Sequence, residues 1–177
     1  MIRRAQKARP HPGITYQVAD MRTPPPGPFG LAICLGNSLS LLPGHDDVRA
    51  CFKNTAAVLA PDGCFVLQLL SYANPALRKP RQRTETARFD GGEVLARKVF
   101  TPENDHTTLQ LEYTVKRSGE PDKITLETVR LCHWSLDDLH EAAHVAGFVL
   151  ETAQGDFAGT PYDRETSNDL VVSLRHL

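Results

Sequence analysis

Two nearly continuous apolar runs constrain the fold of this chain more than any other feature of its sequence. They are Phe29 to Leu35 and Cys64 to Leu70, and runs of this kind are typical of strands that are buried on both faces. Between them, from about Asp46 to Leu59, apolar residues recur at helical spacing, and Pro61-Asp62-Gly63 ends that helix. The order strand, helix, strand predicts an α/β fold, with a parallel sheet that has helices on both sides.

A different pattern begins after Asn74 to Arg88, a basic segment that we interpret as a solvated loop. From Leu109 to Lys116 apolar and polar residues alternate strictly, which is typical of a strand with one face in water. Two further strand segments flank it through turn-rich joins. The sequence therefore predicts three antiparallel strands, Glu93 to Thr101, Leu109 to Lys116 and Lys123 to Cys132, inserted over residues 89–133 into one domain that spans residues 1–177.

The two ends of the chain carry the remaining predicted elements. Met1 to Arg9 reads as a short basic helix, and Ile14 to Ala19 reads as a strand. A later helix begins with Ser135 as its N-cap and Asp138 three residues on, and it ends at Gly147. Two closing strands complete the prediction, Val149 to Gln154 and Asp169 to Leu174.

Composition excludes several classes of protein. The chain has 20 basic and 21 acidic residues, a net charge of −1 and 41% hydrophobic residues, which is typical of a globular domain and gives no general attraction to nucleic acid or anionic lipid. No apolar run approaches the roughly 20 residues that cross a bilayer, and the N-terminus lacks the apolar stretch of a secretory signal. We therefore expect a cytoplasmic protein with no nucleic-acid or membrane partner. The four cysteines are far apart, and we expect free, buried thiols.

Short polar segments follow the predicted strands, and in an open α/β sheet ligands bind at the carboxyl ends of the strands. These segments are Asp20-Met21, Gly36-Asn37-Ser38 and Ser71-Tyr72. A carboxylate can hold an adenine amino group, and a polar cluster after a buried strand can hold a substrate or an amino-acid group. If a group is transferred to an amine or a hydroxyl at this edge, a side chain must take up the released proton. The candidates are His133, Tyr72 and His45, and their spacing does not select among them.

The order of these features resembles the class I S-adenosylmethionine-dependent methyltransferases. The family's third strand, with its acidic adenine contact, is similar to Ile14 to Met21 (ITYQVADM). Its fourth strand and substrate loop are similar to Phe29 to Leu39 (FGLAICLGNSL). VLAPDGCFVLQ at Val58 to Gln68 resembles the family's helix-to-strand turn, with Asp62 where a glycine is commoner. LDDLHEAAHVAGFV at Leu136 to Val149 resembles its late helix, and the last two strands resemble its closing hairpin.

This resemblance implies a partial Rossmann-like sheet and methyl transfer from S-adenosyl-L-methionine to a small-molecule acceptor. It implies cofactor contacts from Asp20, Met21, Leu35, Gly36 and Asn37, and substrate contacts from Asn37, Ser38, Ser71 and Tyr72. No metal ligand is implied. Methyl transfer from a sulfonium mainly requires that the nucleophile and the methyl group are held in line, so the reaction has no need of a dedicated base.

The chain departs from the family in one respect. The glycine-rich loop after the family's first strand and the acid at the end of its second strand have no counterpart, and Gly27-Pro28-Phe29-Gly30 does not match that loop. Aligned in this way, the chain begins inside the cofactor-binding half, and we expect an N-terminally truncated form. Because the family's first two strands lie between its third and fourth, their absence leaves strand edges unpaired, so we expect the chain to re-pair, to form a homodimer or to be unstable. A non-enzymatic, methyltransferase-like dimerisation module is therefore one alternative.

A second alternative comes from a different enzyme class. His140-Glu141-Ala142-Ala143-His144 is a literal H-E-x-x-H, the pattern of a zinc metallopeptidase in which two histidines bind the metal and the glutamate is the base, and Glu165 is a conceivable third ligand. The predicted core stripe of that helix leaves His140 at its border and His144 further round, where histidines are usually surface residues.

Overall fold

A computed structural model describes residues 2–177 as three helices and eight strands that form two four-stranded sheets. The helices are α1 (Ile2–Ala8), α2 (His45–Ala56) and α3 (Leu136–Val145). The strands are β1 (Phe29–Cys34), β2 (Leu59–Leu70), β3 (Arg81–Phe89), β4 (Gly92–Pro102), β5 (His106–Arg117), β6 (Lys123–Cys132), β7 (Phe148–Gln154) and β8 (Asp169–His176). Met1, which the sequence places in the first helix, lies outside the described residues.

The first sheet has the strand order β1-β2-β8-β7. β1 and β2 are parallel, and α2 connects them, so the predicted strand-helix-strand unit is confirmed. β8 is antiparallel to both β2 and β7, which confirms the closing pair of strands. α2 ends at Ala56, earlier than predicted, because β2 already begins at Leu59 and includes the Pro61-Asp62-Gly63 turn residues. The sheet is therefore mixed, not fully parallel.

One face of this sheet carries the hydrophobic core. Phe52 of α2, Phe65 of β2 and Phe148 of β7 meet in a three-ring cluster with centroid distances of 5.4 to 6.4 Å. Leu139 of α3 and Leu174 of β8 are fully buried against the same cluster. Both α2 and α3 lie on this face, and α3 is held in place by the predicted capping box between Ser135 and Asp138.

The expectation that β1 is buried on both faces, with helices on both sides of the sheet, is wrong for this structure. Leu31 and Ile33 are 56% and 62% exposed, while Ala32 and Cys34, on the other face of the same strand, pack against the core. β1 pairs with β2 along one edge only among the described residues. One face of β1, with Leu31 and Ile33, and one edge of β1 are therefore left uncovered by the described part of the chain.

The predicted strand from Ile14 to Ala19 is also wrong. These residues run without regular secondary structure, and Val18 is 88% exposed. A strand needs a neighbour to satisfy its backbone groups, and no strand pairs with this segment among residues 2–177. Hydrogen bonds within the N-terminal region hold it instead, such as the one that the Tyr16 hydroxyl donates to the Arg9 carbonyl at 3.0 Å.

The second sheet has the order β3-β4-β5-β6 and is entirely antiparallel. Its three predicted strands are confirmed, and β3 is a fourth strand within the segment that was interpreted as a loop. β3 alternates charged and small polar residues and is exposed along most of its length, so its sequence has no apolar signal. Backbone pairing with β4 makes it a strand.

No helix among the described residues is long and apolar enough to cross a membrane. The four cysteines are free thiols; Cys51 and Cys132 are buried, and Cys34 and Cys64 are half-buried.

Replacing the central aromatic residue of the core tests this packing. We expect Phe52→Ala to lower the free energy of unfolding by about 3 to 5 kcal/mol, because it removes a fully buried ring from a three-ring cluster. Urea unfolding followed by circular dichroism measures the change. Phe157→Ala, which removes an exposed ring, is the matched control, and equal effects of the two variants would contradict the assigned core.

Candidate ligand groove and strand-end junction

A groove with a volume of about 1050 Å³ runs along β1 and the proline-rich segment that precedes it. Asp20, Met21, Leu35 and Ser38 line it, so four of the predicted site residues share one concave surface. Its floor is apolar, with Phe65 of β2 among its residues. An apolar groove with a carboxylate and a hydroxyl at its wall can enclose a flat heterocycle and hold its polar edge.

The carboxylate of Asp20 is held in a fixed orientation by Arg22. Oδ1 accepts hydrogen bonds from the Arg22 backbone N–H at 2.8 Å and from Nε at 3.0 Å, and Oδ2 accepts one from Nη2 at 2.6 Å. Arg22 also pairs with Asp47 in the first turn of α2, and its carbonyl accepts a hydrogen bond from Asn54 Nδ2 at 2.7 Å. These bonds tie the segment around Asp20 to α2.

The hydrogen bonds from Arg22 lower the pKa of Asp20 to about 2, so this carboxyl is ionised throughout the physiological range. A carboxylate has about four acceptor positions, and the three bonds from Arg22 leave one of them. Arg22 was missed by the sequence analysis. The sequence does place Arg22 two residues after Asp20. That spacing alone does not distinguish a hydrogen-bonded pair from two solvated side chains.

The turn at the carboxyl end of β1 is built from two residues in the left-handed region. Gly36 has φ 68° and Asn37 has φ 63°, a conformation that Asn tolerates better than most residues. Gly36 N–H donates to Gln68 Oε1 at 2.7 Å, and Asn37 Oδ1 accepts from Leu70 N–H at 2.6 Å. The oxygen of the Asn37 side chain therefore clamps the ends of β1 and β2 together, and neither Gly36 nor Asn37 is among the residues that line the groove.

Ser71 and Tyr72 lie in a junction between the two sheets, away from the groove. Ser71 is buried, and its hydroxyl shares a hydrogen bond of 2.8 Å with the hydroxyl of Tyr162. The Tyr72 ring is buried and stacks on His133, with 3.9 Å between ring centroids. The structure thus separates most of the predicted site residues into a groove set and a junction set, with Gly36 and Asn37 in the turn between the strand ends. The cofactor and substrate roles of all these residues stay predictions.

His133 is the polar centre of this junction. Its Nε2 shares a hydrogen bond of 2.8 Å with Thr107 Oγ1, and Tyr72 Oη and His133 Nδ1 are buried without a hydrogen-bond partner among residues 2–177. Burial of the ring, reinforced by the positive charge of Arg78, lowers the pKa of His133 to about 4. The ring is therefore neutral at pH 7, which a proton acceptor requires. His45, the other histidine considered, packs edge-on against Trp134 at 5.0 Å.

Two members of the basic run from Arg78 to Arg88 have structural partners. Arg78 Nε donates to the Tyr72 carbonyl at 2.6 Å, and Arg81 donates to the Leu77 carbonyl at 2.7 Å while lying 4.2 Å from the centre of the Phe100 ring. These arginines hold the first residues of the second sheet against the strand-end junction. The expected loop is wrong, because a short 3-10 helix and then β3 occupy most of this segment, but Arg78 and most of β3 are exposed to solvent as expected.

The thiols near the groove are poor nucleophiles. Burial raises the pKa of Cys51 to about 12, and it raises the pKa of the neighbouring Cys34 as well. A thiol in this state is a packing group because the reactive thiolate is not populated at neutral pH.

The H-E-x-x-H residues do not form a metal site. His140, Glu141 and His144 are exposed on α3, and Glu141 accepts a hydrogen bond from Arg49 of α2 at 2.8 Å. Within residues 2–177, no three His, Cys, Asp or Glu side chains converge on a position that could hold a metal ion. Glu141 therefore forms an ion pair between α2 and α3, and the zinc alternative gains no support.

Comparison with solved structures places this fold among S-adenosylmethionine-dependent methyltransferases. An amino pentose methyltransferase from Micromonospora echinaspora superposes with a TM-score of 0.74 at 19% identity, over 98% of this chain and 68% of that structure. A methyltransferase from Clostridium acetobutylicum gives 0.77 at 15% identity, over 98% and 68%. A sugar N-methyltransferase from Streptoalloteichus gives 0.77 at 16% identity, over 98% and 67%. No family model and no curated protein matches the sequence.

The hydrogen bonds to Asp20 give a direct test. We expect the Asp20 carboxyl to titrate at a pKa of about 2, and Arg22→Gln to return it toward the ordinary value of 3.8, because the charged donor is lost. Carboxyl carbon shifts measured by NMR report the pKa. Because the folded pKa is lowered, this stabilisation is present above pH 3.8 and is lost as the pH falls toward 2. Asp47→Asn should leave the Asp20 pKa low, and an Asp20 pKa near 4 in the unmodified chain would refute the arrangement.

The junction histidine gives a second test. We expect a pKa of about 4 for His133 in the folded chain, against about 6.5 in urea. Because the folded pKa is the lower one, the protein should lose stability as the pH falls from 6.5 toward 4. Arg78→Gln removes a positive charge and keeps a donor, and it should raise the His133 pKa. Ring nitrogen shifts in an NMR titration measure both, and an ordinary His133 pKa in the folded protein would show that the ring is not buried as described.

Proposed function

We propose that this chain is an S-adenosylmethionine-dependent methyltransferase body that acts on a small-molecule acceptor. One observation carries the proposal: in a methyltransferase fold, Asp20 and Met21 line one groove with the carboxyl end of β1. That is the edge of an open α/β sheet at which ligands bind. Of the five cofactor contacts that the family resemblance implies, Asp20, Met21 and Leu35 line the groove, and Gly36 and Asn37 do not.

The residues present fit the adenosine end of the cofactor. The ionised Asp20 carboxylate has an acceptor position left for an adenine amino group, and Met21, Leu35 and Phe65 offer apolar contacts to the ring. The cofactor supplies an activated methyl group on a sulfonium. The chain holds no glycine-rich loop to cradle the amino-acid end, so we assign only the adenosine end to described residues. The N-terminal truncation stays a prediction.

The substrate side of the proposal rests on the junction between the sheets. Ser71, Tyr72, Tyr162 and His133 place hydroxyls and a neutral imidazole there, next to the ends of β1 and β2. Two of the similar structures are described as an amino pentose methyltransferase and a sugar N-methyltransferase. We therefore propose an amine on a small polar molecule as the methyl acceptor. The neutral ring of His133 offers hydrogen bonds in the junction, and its low pKa makes it a weak base for the released proton. The cytoplasmic location also stays a prediction.

Binding of S-adenosylhomocysteine tests the proposal. The chain has two methionines, Met1 and Met21, so a protein labelled at the methionine methyl groups gives two signals of which one reports the groove. We expect titration with S-adenosylhomocysteine to shift the Met21 signal. Asp20→Asn should weaken binding about tenfold or more, because a hydrogen bond to a charged acceptor is lost.

Asp47→Asn is the matched control for Asp20→Asn. Asp47 also pairs with Arg22 but does not line the groove, so its replacement should change the affinity less than about twofold. A Met21 signal that does not respond to millimolar S-adenosylhomocysteine would refute cofactor binding by this chain. Equal weakening by both variants would show that Arg22, and not the Asp20 carboxylate, carries the effect.

A further inference from the structure

The second sheet ends in an open strand. β6 pairs with β5 through ten successive positions, from Lys123↔Val115 to Cys132↔His106, and no strand pairs with its other edge among residues 2–177. An open edge presents unpaired backbone N–H and C=O groups in a row, which is a template for another strand.

One face of β6 presents two apolar side chains to water. Ile124 is 60% exposed and Leu126 is 73% exposed. Within the sheet they lie opposite Thr114 and Glu112 of β5, so neither has an apolar cross-strand neighbour on that side. Among residues 2–177, the side of β6 on which a cross-strand neighbour could still pair is its outer edge.

The other face of β6 presents two opposite charges. Lys123 and Glu127 are exposed, and neither takes part in an ion pair within the described part of the chain. On β5 they lie opposite Val115 and Leu111, which offer no charge. The strand therefore carries a cation and an anion on one face, and two apolar residues on the other, all without partners.

We propose that β6 pairs antiparallel with β6 of a second copy of this chain, about a two-fold axis at Thr125. In this register Ile124 lies opposite Leu126 of the partner subunit, and Lys123 lies opposite Glu127 of the partner subunit. Each contact occurs twice by symmetry. The two four-stranded sheets become one sheet of eight strands, and apolar and opposite-charge cross-strand pairs are the pairs that stabilise antiparallel strands.

The pattern selects this register over its neighbours. A two-fold axis at Leu126 would place Lys123 opposite Val129 and Thr125 opposite Glu127 of the partner subunit, and an axis at Ile124 would place Asp122 opposite Leu126 of the partner subunit. An axis at Glu127 would place that carboxylate opposite its own copy. Only the axis at Thr125 satisfies both the apolar pair and the charged pair.

The opposite edge of the sheet is protected. β3 presents Arg81, Arg83 and Arg88, and its one acid, Glu85, is already held by Lys98 at 3.0 Å. An excess of like charge along an edge opposes pairing with a second copy. From the unpaired strand edges near the missing segment, beside β1, the sequence analysis expected the chain to re-pair, to form a homodimer or to be unstable. The charge and apolar pattern favours β6 instead.

Sedimentation velocity of the full chain separates these possibilities. We expect a dimer at about 50 μM, dissociated to a monomer by Leu126→Lys, which places a charge in each apolar pair. Ile33→Lys is the matched control, because it puts the same charge on a similarly exposed apolar residue at the open edge of β1. A monomeric unmodified chain, or dissociation by Ile33→Lys with the Leu126→Lys dimer intact, would overturn the proposal.

Charge exchange tests the register. Lys123→Glu and Glu127→Lys each place like charges opposite one another at two positions, and each should weaken the dimer about tenfold or more. The double variant, or a mixture of the two single variants, restores opposite charges and should restore the dimer. A lack of rescue would refute the register.

A disulfide provides a readout that does not depend on affinity. Thr125→Cys places two thiols directly opposite across the axis. The Cβ separation of such a pair, about 4.5 to 5.5 Å, meets the roughly 3.5 to 4.5 Å of a disulfide at its short end, so mild oxidation should give a covalent dimer. Thr128→Cys replaces another exposed threonine on the same strand, lies opposite Asp122 of the partner subunit and should not cross-link. Equal yields from the two variants would contradict pairing at Thr125.

Discussion

The backbone pairing of β2 on both its edges is the interaction on which the rest of this structure depends. β2 pairs in parallel with β1 on one side and antiparallel with β8 on the other, and its inward side chains carry the core. The groove runs along β1, the junction begins where β2 ends, and β7 is attached through β8. Because β2 is paired on both edges, backbone hydrogen bonds to its two neighbours hold it in the sheet.

The parts of the fold that follow local rules were predictable from the sequence. The two apolar runs, the capping box at Ser135 and the alternation from Leu109 to Lys116 each encode their own element, because periodicity and caps act within a few residues. β3 could not be predicted in the same way. Its residues alternate between charged and small polar types, and only the neighbouring β4 makes them a strand. Ile14 to Ala19 shows the opposite case, an adequate strand pattern that has no neighbour with which to pair.

The candidate site was only partly predictable from the sequence. Polar residues do follow β1 and β2, and the Asn37 side chain joins the ends of those two strands, but Asp20 and Met21 follow a segment that is not a strand. The sequence could not show that Asn37 is used in a clamp between strand ends, or that Tyr72 turns toward His133. Those contacts join residues far apart in the chain, and no spacing rule encodes them.

Gln68 links the turn after β1 to the first residue of β8 through its side-chain amide. Its side-chain oxygen accepts from Gly36 N–H at 2.7 Å, and its amide nitrogen donates to Asp169 Oδ1 at 2.6 Å. The amide cannot rotate to improve one bond without losing the other, so it transmits the position of β8 to the turn beside the groove. A loop from another enzyme could be grafted after β1 only together with Gln68 and Asp169. The turn at Gly36, Gln68 and Asp169 must therefore be designed together.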